Sequence, residues 1–228
     1  MPQESAMSST TTPSSSSSSS SKPDVSHIRG NAPTEIKERL SNIKAYFRSF
    51  APTKFQDLPN TFGKSISNRF AVTEISILSK VDEESKLEGK VVVEIEVDEE
   101  MINGAGNIHG GCSAFLVDVC SSLSISALSL ATVGKEQPSV SQAINMIYHS
   151  PATLGDKLRI VNTSMTLGNR TQSCRTEIWN STHHRLVASG THVKMMPSPP
   201  LSEQTYNPRS LYITFSYLRP GFEDLVCS

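Results

Sequence analysis

The sequence lacks an excess of charge of either sign. Its 228 residues contain 21 Lys and Arg against 22 Asp and Glu, a formal net charge of −1. No block of like charges disturbs this balance locally, so no strongly charged surface is expected. The composition therefore argues against a nucleic acid partner and against binding to an anionic membrane.

Cysteine is also scarce, and no two of the four cysteines form a Cys-x-x-Cys pair. Because no His or Cys spacing is typical of metal ligands, we expect no metal. The chain starts without the basic region and apolar segment that are typical of a secretory signal. We therefore expect a reducing intracellular compartment, with the cytosol favoured over the mitochondrion.

The first part of the sequence has few apolar residues and includes eight consecutive serines at 14–21. Such a composition cannot bury enough apolar surface to offset its ordering entropy. We predict a disordered tail over residues 1–30 and one folded domain over residues 31–196, since the remaining length suits a single core. Residues 197–228 follow no clear periodicity and are predicted to be a C-terminal extension of unknown role.

The domain is predicted to begin with a helix. Ile36, Leu40, Ile43 and Phe47 recur at helical spacing within residues 33–50. This pattern is typical of one amphipathic helix with a single apolar face.

Extended segments lie on both sides of a long apolar stretch. Residues 72–81 and 86–97 alternate between apolar and polar side chains, which predicts an antiparallel pair of strands. The order of helix, two strands, long helix and then a strand meander predicts an α+β domain with an antiparallel sheet packed on one central helix. Turn signals separate the four later segments, 139–149, 157–167, 171–179 and 185–195.

The central helix is predicted over residues 110–131, with Gly134 ending it. The stretch is long enough to cross a membrane, but it contains several serines and one charged residue, Asp118. We therefore predict a buried helix of a soluble domain and no membrane span.

The start of this helix suggests acyl-transfer chemistry. Its first backbone N–H groups lack partners within the helix and lie at the positive end of its dipole. Gly110 is the predicted donor to an oxyanion, and Gly111 is expected to line the substrate site because glycine lets a ligand approach the backbone. Asp118 is the predicted base or nucleophile. The alternative is that Asp118 only accepts hydrogen bonds from buried hydroxyl groups.

Helix geometry separates these two groups. Eight residues of α-helix place Asp118 about 12 Å along the axis and about 80° around it from Gly110. Both groups cannot contact one carbonyl group from the same chain. If both act in one reaction, the carboxylate must come from a second copy, which predicts a site at a two-fold interface.

The motif resembles the active site of a known family. Asn103 precedes His109 by six residues, and Asp118 follows that histidine by nine. This arrangement is similar to that of hotdog-fold acyl-CoA thioesterases of the PaaI-like, thioesterase-superfamily type. Residues 140–152 and 190–194 resemble two later strands of the family, and the resemblance covers residues 72–195.

The resemblance implies a hotdog fold and hydrolysis of acyl-CoA thioesters to free acid and CoA, in lipid metabolism. CoA enters as part of the substrate, no separate cofactor is needed, and the chain forms a homodimer or a dimer of dimers. In the family pattern Gly110 donates to the oxyanion, and Asp118 of the opposite subunit activates water. Asn103 and His109 orient the thioester or the water, and Ser141 hydrogen-bonds the water or the aspartate.

Two other functions remain open at this point. One is hydration or dehydration of acyl thioesters on the same fold, and the other is acyl-CoA binding without catalysis. The sequence does not specify the acyl group, since a few pocket residues such as Phe115 or Met146 are able to set the chain length. His192, in a predicted strand, is expected to be structural.

Overall fold

The computed structural model describes residues 22–56, 58–59 and 61–197. The serine run and most of the predicted C-terminal extension lie outside the described residues. The roles given above to those two segments stay predictions.

The described chain forms an N-terminal helical region, a strand pair, a long helix and a strand meander, in the predicted order. The helices are α1 (Thr34–Ser41), α2 (Ile43–Arg48), α3 (Lys64–Ser67) and α4 (Gly110–Val133). The strands are β1 (Ala71–Ser79), β2 (Leu87–Glu96), β3 (Val140–Tyr148), β4 (Lys157–Leu167), β5 (Thr171–Asn180) and β6 (Arg185–Met195).

The six strands form one antiparallel sheet in the order β1-β2-β4-β5-β6-β3. Val91 and Val93 of β2 are fully buried, as their alternation predicts. The intervening Val92 is also fully buried, so both faces of β2 are covered at this point. The predicted α+β hotdog architecture is confirmed: α4 packs against β2, β4 and β5 across the sheet.

Helix α4 begins and ends as the sequence predicts. His109 is its N-cap, and Gly134 ends it in the left-handed conformation with φ 75°. By length and composition alone α4 is able to cross a membrane, but 61% of its apolar window is buried inside the protein. Its small side chains let the sheet approach closely, because a Cβ built on Gly89 of β2 would lie 2.4 Å from the Ser124 carbonyl oxygen.

The predicted N-terminal helix is interrupted at Asn42. This residue adopts an extended conformation, and its side chain accepts a hydrogen bond of 2.9 Å from the Ala45 N–H, which caps α2. In α2, Ile43 is buried as predicted, and Tyr46 is also buried, where its hydroxyl bonds Ser126. Phe47 from the predicted apolar face is exposed.

Packing also starts earlier than the predicted domain boundary at residue 31. Val25 and Ile28 are buried in the core cluster. Arg29 forms backbone hydrogen bonds with Thr73 and Ile75 of β1, of 3.0 and 2.9 Å. The segment before α1 therefore covers the outer edge of β1 instead of belonging to a disordered tail.

We expect Gly89→Ala to lower the free energy of unfolding by about 1 to 3 kcal/mol, because the added methyl group would overlap the α4 backbone. Urea unfolding measures this change. Gly104→Ala is the matched control, since a Cβ at Gly104 meets no atom within 4 Å. Equal losses in the two variants would contradict close packing of β2 on α4.

Candidate active site

Asn103 holds the glycine-containing turn that leads into α4. Its side-chain oxygen accepts hydrogen bonds from the backbone N–H groups of Ala105 at 2.9 Å and Asn107 at 3.3 Å. Its own N–H donates to the Asn107 carbonyl at 2.7 Å, and Gly106 takes a positive φ of 78°. The described contacts of Asn103 therefore shape the loop that presents the helix start.

His109 satisfies one of the free donors at this helix start. Its Nδ1 accepts a hydrogen bond of 2.9 Å from the Gly111 N–H, which requires Nδ1 to be unprotonated. Its own N–H donates to the Met101 carbonyl at 2.8 Å. The Gly111 N–H, predicted to face the substrate, is thus already bonded to the imidazole, whereas the N–H groups of Gly110 and Cys112 have no acceptor among the described residues.

Gly110 lies at the mouth of a cleft of about 390 Å³, beside the exposed Tyr148. None of the described residues accepts a hydrogen bond from the Gly110 N–H, while the Gly110 carbonyl accepts one of 3.0 Å from the Tyr148 hydroxyl. A Cβ on Gly110 would lie 3.3 Å from the Tyr148 ring. The sequence analysis did not select Tyr148 as a site residue. The available signal was its position at the end of a predicted strand, next to a loop.

Asp118 lies on α4 with 45% of its side chain exposed. Ser141 of β3 donates a hydrogen bond of 2.8 Å to its Oδ1. The structure thus brings together the predicted pair Asp118 and Ser141. In the described residues no group bonds Oδ2, which is available to a water molecule.

His192 of β6 joins this pair from the interior. Its Nε2 lies 3.6 Å from Oδ1 of Asp118, and its Nδ1 is 2.7 Å from the Ser121 hydroxyl. The ring is fully buried, and no described group is hydrogen-bonded to Nε2. Burial and the nearby Lys194 lower the pKa of His192 to about 4, against a smaller opposing effect of Asp118. The imidazole is therefore neutral at pH 7.

Lys194, also buried on β6, interacts electrostatically with the same carboxylate. Burial lowers the pKa of Lys194, and the negative charge of Asp118 opposes this effect. Sequence reasoning set His192 aside as structural and did not consider Lys194. The sequence pattern that could have identified them is their spacing. Residues two apart on β6 point to the same side of the sheet, here towards α4.

The other two predicted substrate residues, Phe115 and Met146, make packing contacts. Phe115 packs edge-on against Phe62, with ring centroids 5.3 Å apart. Met146 of β3 lies against Gly190 of β6 and packs on the core. Within one chain the structure therefore forms two separate groups, one around Gly110 and one around Asp118.

Residues 22–56, 58–59 and 61–197 contain no group of three or more His, Cys, Asp or Glu side chains that could hold a metal ion.

Comparison with known proteins identifies several similar sequences. The thioesterase superfamily profile matches residues 105–187. Human acyl-coenzyme A thioesterase 13 is 34% identical over 118 residues, which are 52% of this chain and 81% of the human protein. The mouse protein of the same name is 33% identical over 118 residues, with the same coverage of 52% and 81%. The crystal structure of zebrafish thioesterase superfamily member 2 superposes with a TM-score of 0.50 at 28% identity, covering 68% of this chain and 96% of the zebrafish chain.

The buried neutral His192 should make the fold sensitive to acid. Between pH 6.5 and about 4 the unfolded chain binds a proton at His192 that the folded chain does not, so stability falls as the pH falls through this window. We expect the free energy of unfolding to drop by about 2 kcal/mol from pH 7 to pH 5 through this group.

Urea unfolding at the two pH values measures the effect. His192→Gln should remove most of this drop, whereas His27→Gln, at an exposed position, should retain it. A drop of the same size in the wild type and in His192→Gln would show that another group is responsible.

Proposed function

The chain belongs to the thioesterase superfamily, and we propose that it hydrolyses acyl-CoA thioesters to a free carboxylic acid and CoA at sites built from Gly110 and Asp118. The observation that carries this proposal is the half-exposed Asp118 carboxylate, hydrogen-bonded by Ser141 and adjacent to His192, on the helix that also presents the free Gly110 N–H. Human acyl-coenzyme A thioesterase 13, of which this chain covers 81%, is a relative with that named activity.

Asp118 is proposed to act as a general base. Ser141 bonds Oδ1 and His192 lies beside the same oxygen, so Oδ2 is left to accept a proton from water. The water oxygen attacks the thioester carbonyl carbon and forms a tetrahedral oxyanion. When the C–S bond breaks, the CoA thiolate leaves and receives the proton, so that water is the only co-reactant.

The Gly110 N–H is proposed to stabilise this oxyanion. The donor is fixed by the helix, lies at the positive end of the α4 dipole and opens into a cleft. One such donor typically contributes about 3 to 4 kcal/mol to transition-state stabilisation. His109 contributes indirectly, because its ring bonds the neighbouring Gly111 N–H and fixes the first turn.

The two half-sites are proposed to meet between two copies of the chain. Gly110 and Asp118 are separated by about 12 Å along one helix, so one substrate carbonyl cannot contact both in a single chain. The sheet supports this proposal because its two edges differ. Residues 29–32 cover the edge of β1, whereas β3 pairs only with β6 in the described chain and exposes Val140 and Ile147. An exposed apolar edge strand is a surface that favours association.

We expect Asp118→Asn to lower kcat by about 10² to 10⁴, because the amide cannot accept the proton from water. The release of CoA from a panel of acyl-CoA substrates is the measurement, together with the mass of the assembly in solution. Asp82→Asn, at an exposed loop position, is the matched control. Undiminished turnover of Asp118→Asn would remove Asp118 from the mechanism.

Gly110→Pro tests the oxyanion donor directly. Proline removes the N–H, yet it is well tolerated at the first position of a helix, and His109 already has the extended conformation that a following proline requires. We expect kcat to fall by about 10² to 10³ with the fold retained. Gly110→Ala keeps the N–H and should retain much more activity than Gly110→Pro.

Co-expression of Gly110→Pro with Asp118→Asn chains tests the shared site. If the two groups come from different subunits, a mixed dimer has one intact site, and a random mixture should recover roughly a quarter of wild-type activity. If both groups act from one chain, every chain is defective and no activity returns. Co-purification of differently tagged chains verifies that mixed dimers are present.

A further inference from the structure

A second cavity lies beside Asp118, apart from the cleft at Gly110. This groove has a volume of about 380 Å³ and lies between α4 and the segment 43–67, which includes α2 and α3. Phe115 and Val119 of α4 form one wall, and Ile43, Phe47 and Phe62 contribute to the others. Gly110 and the group of Asp118, Ser141 and His192 are not part of its lining.

Several large apolar side chains of the groove are exposed to solvent. Phe62 is 87% exposed although its ring contacts Phe115, and Phe55 and Leu58 are 50% and 44% exposed. A contiguous apolar patch of this kind marks a binding surface more often than ordinary surface. The groove is therefore suited to an apolar ligand.

One wall of the groove depends on a glycine. Gly63 has a positive φ of 64°, and a Cβ at this position would lie 2.2 Å from Cζ of the Phe115 ring. Only glycine lets this segment both turn in the left-handed region and lie against the ring. The turn at Gly63 therefore packs closely against Phe115 of α4 at the groove.

The groove is adjacent to the proposed catalytic carboxylate. Phe115 and Val119 lie about 60° and about 100° around the α4 axis from Asp118, both on the same side and within one turn. Two wall residues of the groove are therefore neighbours of Asp118 on the surface of α4. The Gly110 half-site of the same chain lies on the opposite side, at about 80° in the other direction.

The charges around the groove favour an anionic amphiphile. The charged residues among the described lining are Lys44, Arg48 and Lys64, all basic, and no described acidic residue lines the groove. An apolar channel with a basic rim matches a hydrocarbon chain attached to an anionic head. It is less suited to an apolar segment of a neutral protein.

The volume favours a chain over a single ring. An engineered apolar cavity of about 150 Å³ is enough to bind benzene. This groove, at about 380 Å³, is more than twice that size and lies within the usual range for small-molecule sites. A flexible hydrocarbon chain fills such a space better than a phenyl group.

We propose that this groove holds the fatty acyl chain of the substrate, with the thioester carbonyl beside Asp118 of the same chain. The proposal rests on the thioesterase function proposed above. In this arrangement one subunit supplies both Asp118 and the groove that selects the length of the acyl chain. The oxyanion donor is Gly110 of the partner subunit. Phe115 then keeps its predicted role in chain-length choice, and Met146 has none in this groove.

Ala51→Trp tests the proposal, because Ala51 is a small, partly buried residue of the groove lining that an indole would fill. The full chain is assayed with acetyl-, hexanoyl-, decanoyl- and phenylacetyl-CoA. The ratio of kcat/KM for decanoyl-CoA to that for acetyl-CoA should fall at least about tenfold in Ala51→Trp. Val81→Trp, at a position that is 97% exposed outside the groove, should keep the wild-type ratio.

Binding of decanoate, measured by calorimetry, separates this proposal from the proposed function. The wild type should bind decanoate and Ala51→Trp should bind it at least about tenfold more weakly, whether or not CoA is released. An unchanged substrate ratio together with unchanged decanoate binding would overturn the groove proposal while leaving hydrolysis intact. A changed oligomeric mass of Ala51→Trp with unchanged decanoate binding would instead identify the groove as a contact between copies and would also overturn it.

Discussion

The rigidity of helix α4 is the constraint on which the chemistry of this protein depends. Its backbone hydrogen bonds hold the free N–H of Gly110 and the carboxylate of Asp118 about 12 Å apart. The same helix therefore carries both proposed catalytic groups, but within one chain it cannot bring both to one carbonyl. This separation links the proposed catalysis to the proposed dimer, since neither group completes a site alone.

The sheet determines the environment of the carboxylate. Ser141 reaches Oδ1 of Asp118 from β3, and His192 lies beside the same oxygen from β6. These strands are neighbours because β3 pairs with β6 at the edge of the sheet, on the side of β6 away from β5. The burial that keeps His192 neutral also gives Asp118 a neighbour without positive charge, so the carboxylate is not neutralised by an ion pair with this ring.

Much of the fold could be predicted because it depends on local patterns. Alternation in β2, the small residues of α4 and the left-handed Gly134 are properties of short segments, and each appears in the structure. The single N-terminal helix was predicted less well. Asn42 can either continue a helix or cap a new one, and contacts between Tyr46 and α4 accompany the second choice.

The sequence by itself determined the separation of the two proposed catalytic groups, Gly110 and Asp118, because both lie on one regular helix whose geometry is known in advance. It also determined the family, through the spacing of Asn103, His109 and Asp118. Only the tertiary structure decided which residues surround Asp118, which N–H at the helix start is bonded to His109, and where an apolar groove forms beside α4. Those features depend on contacts between segments far apart in the chain, such as α4 with β6 and α4 with the segment 43–67, and no local pattern specifies such contacts.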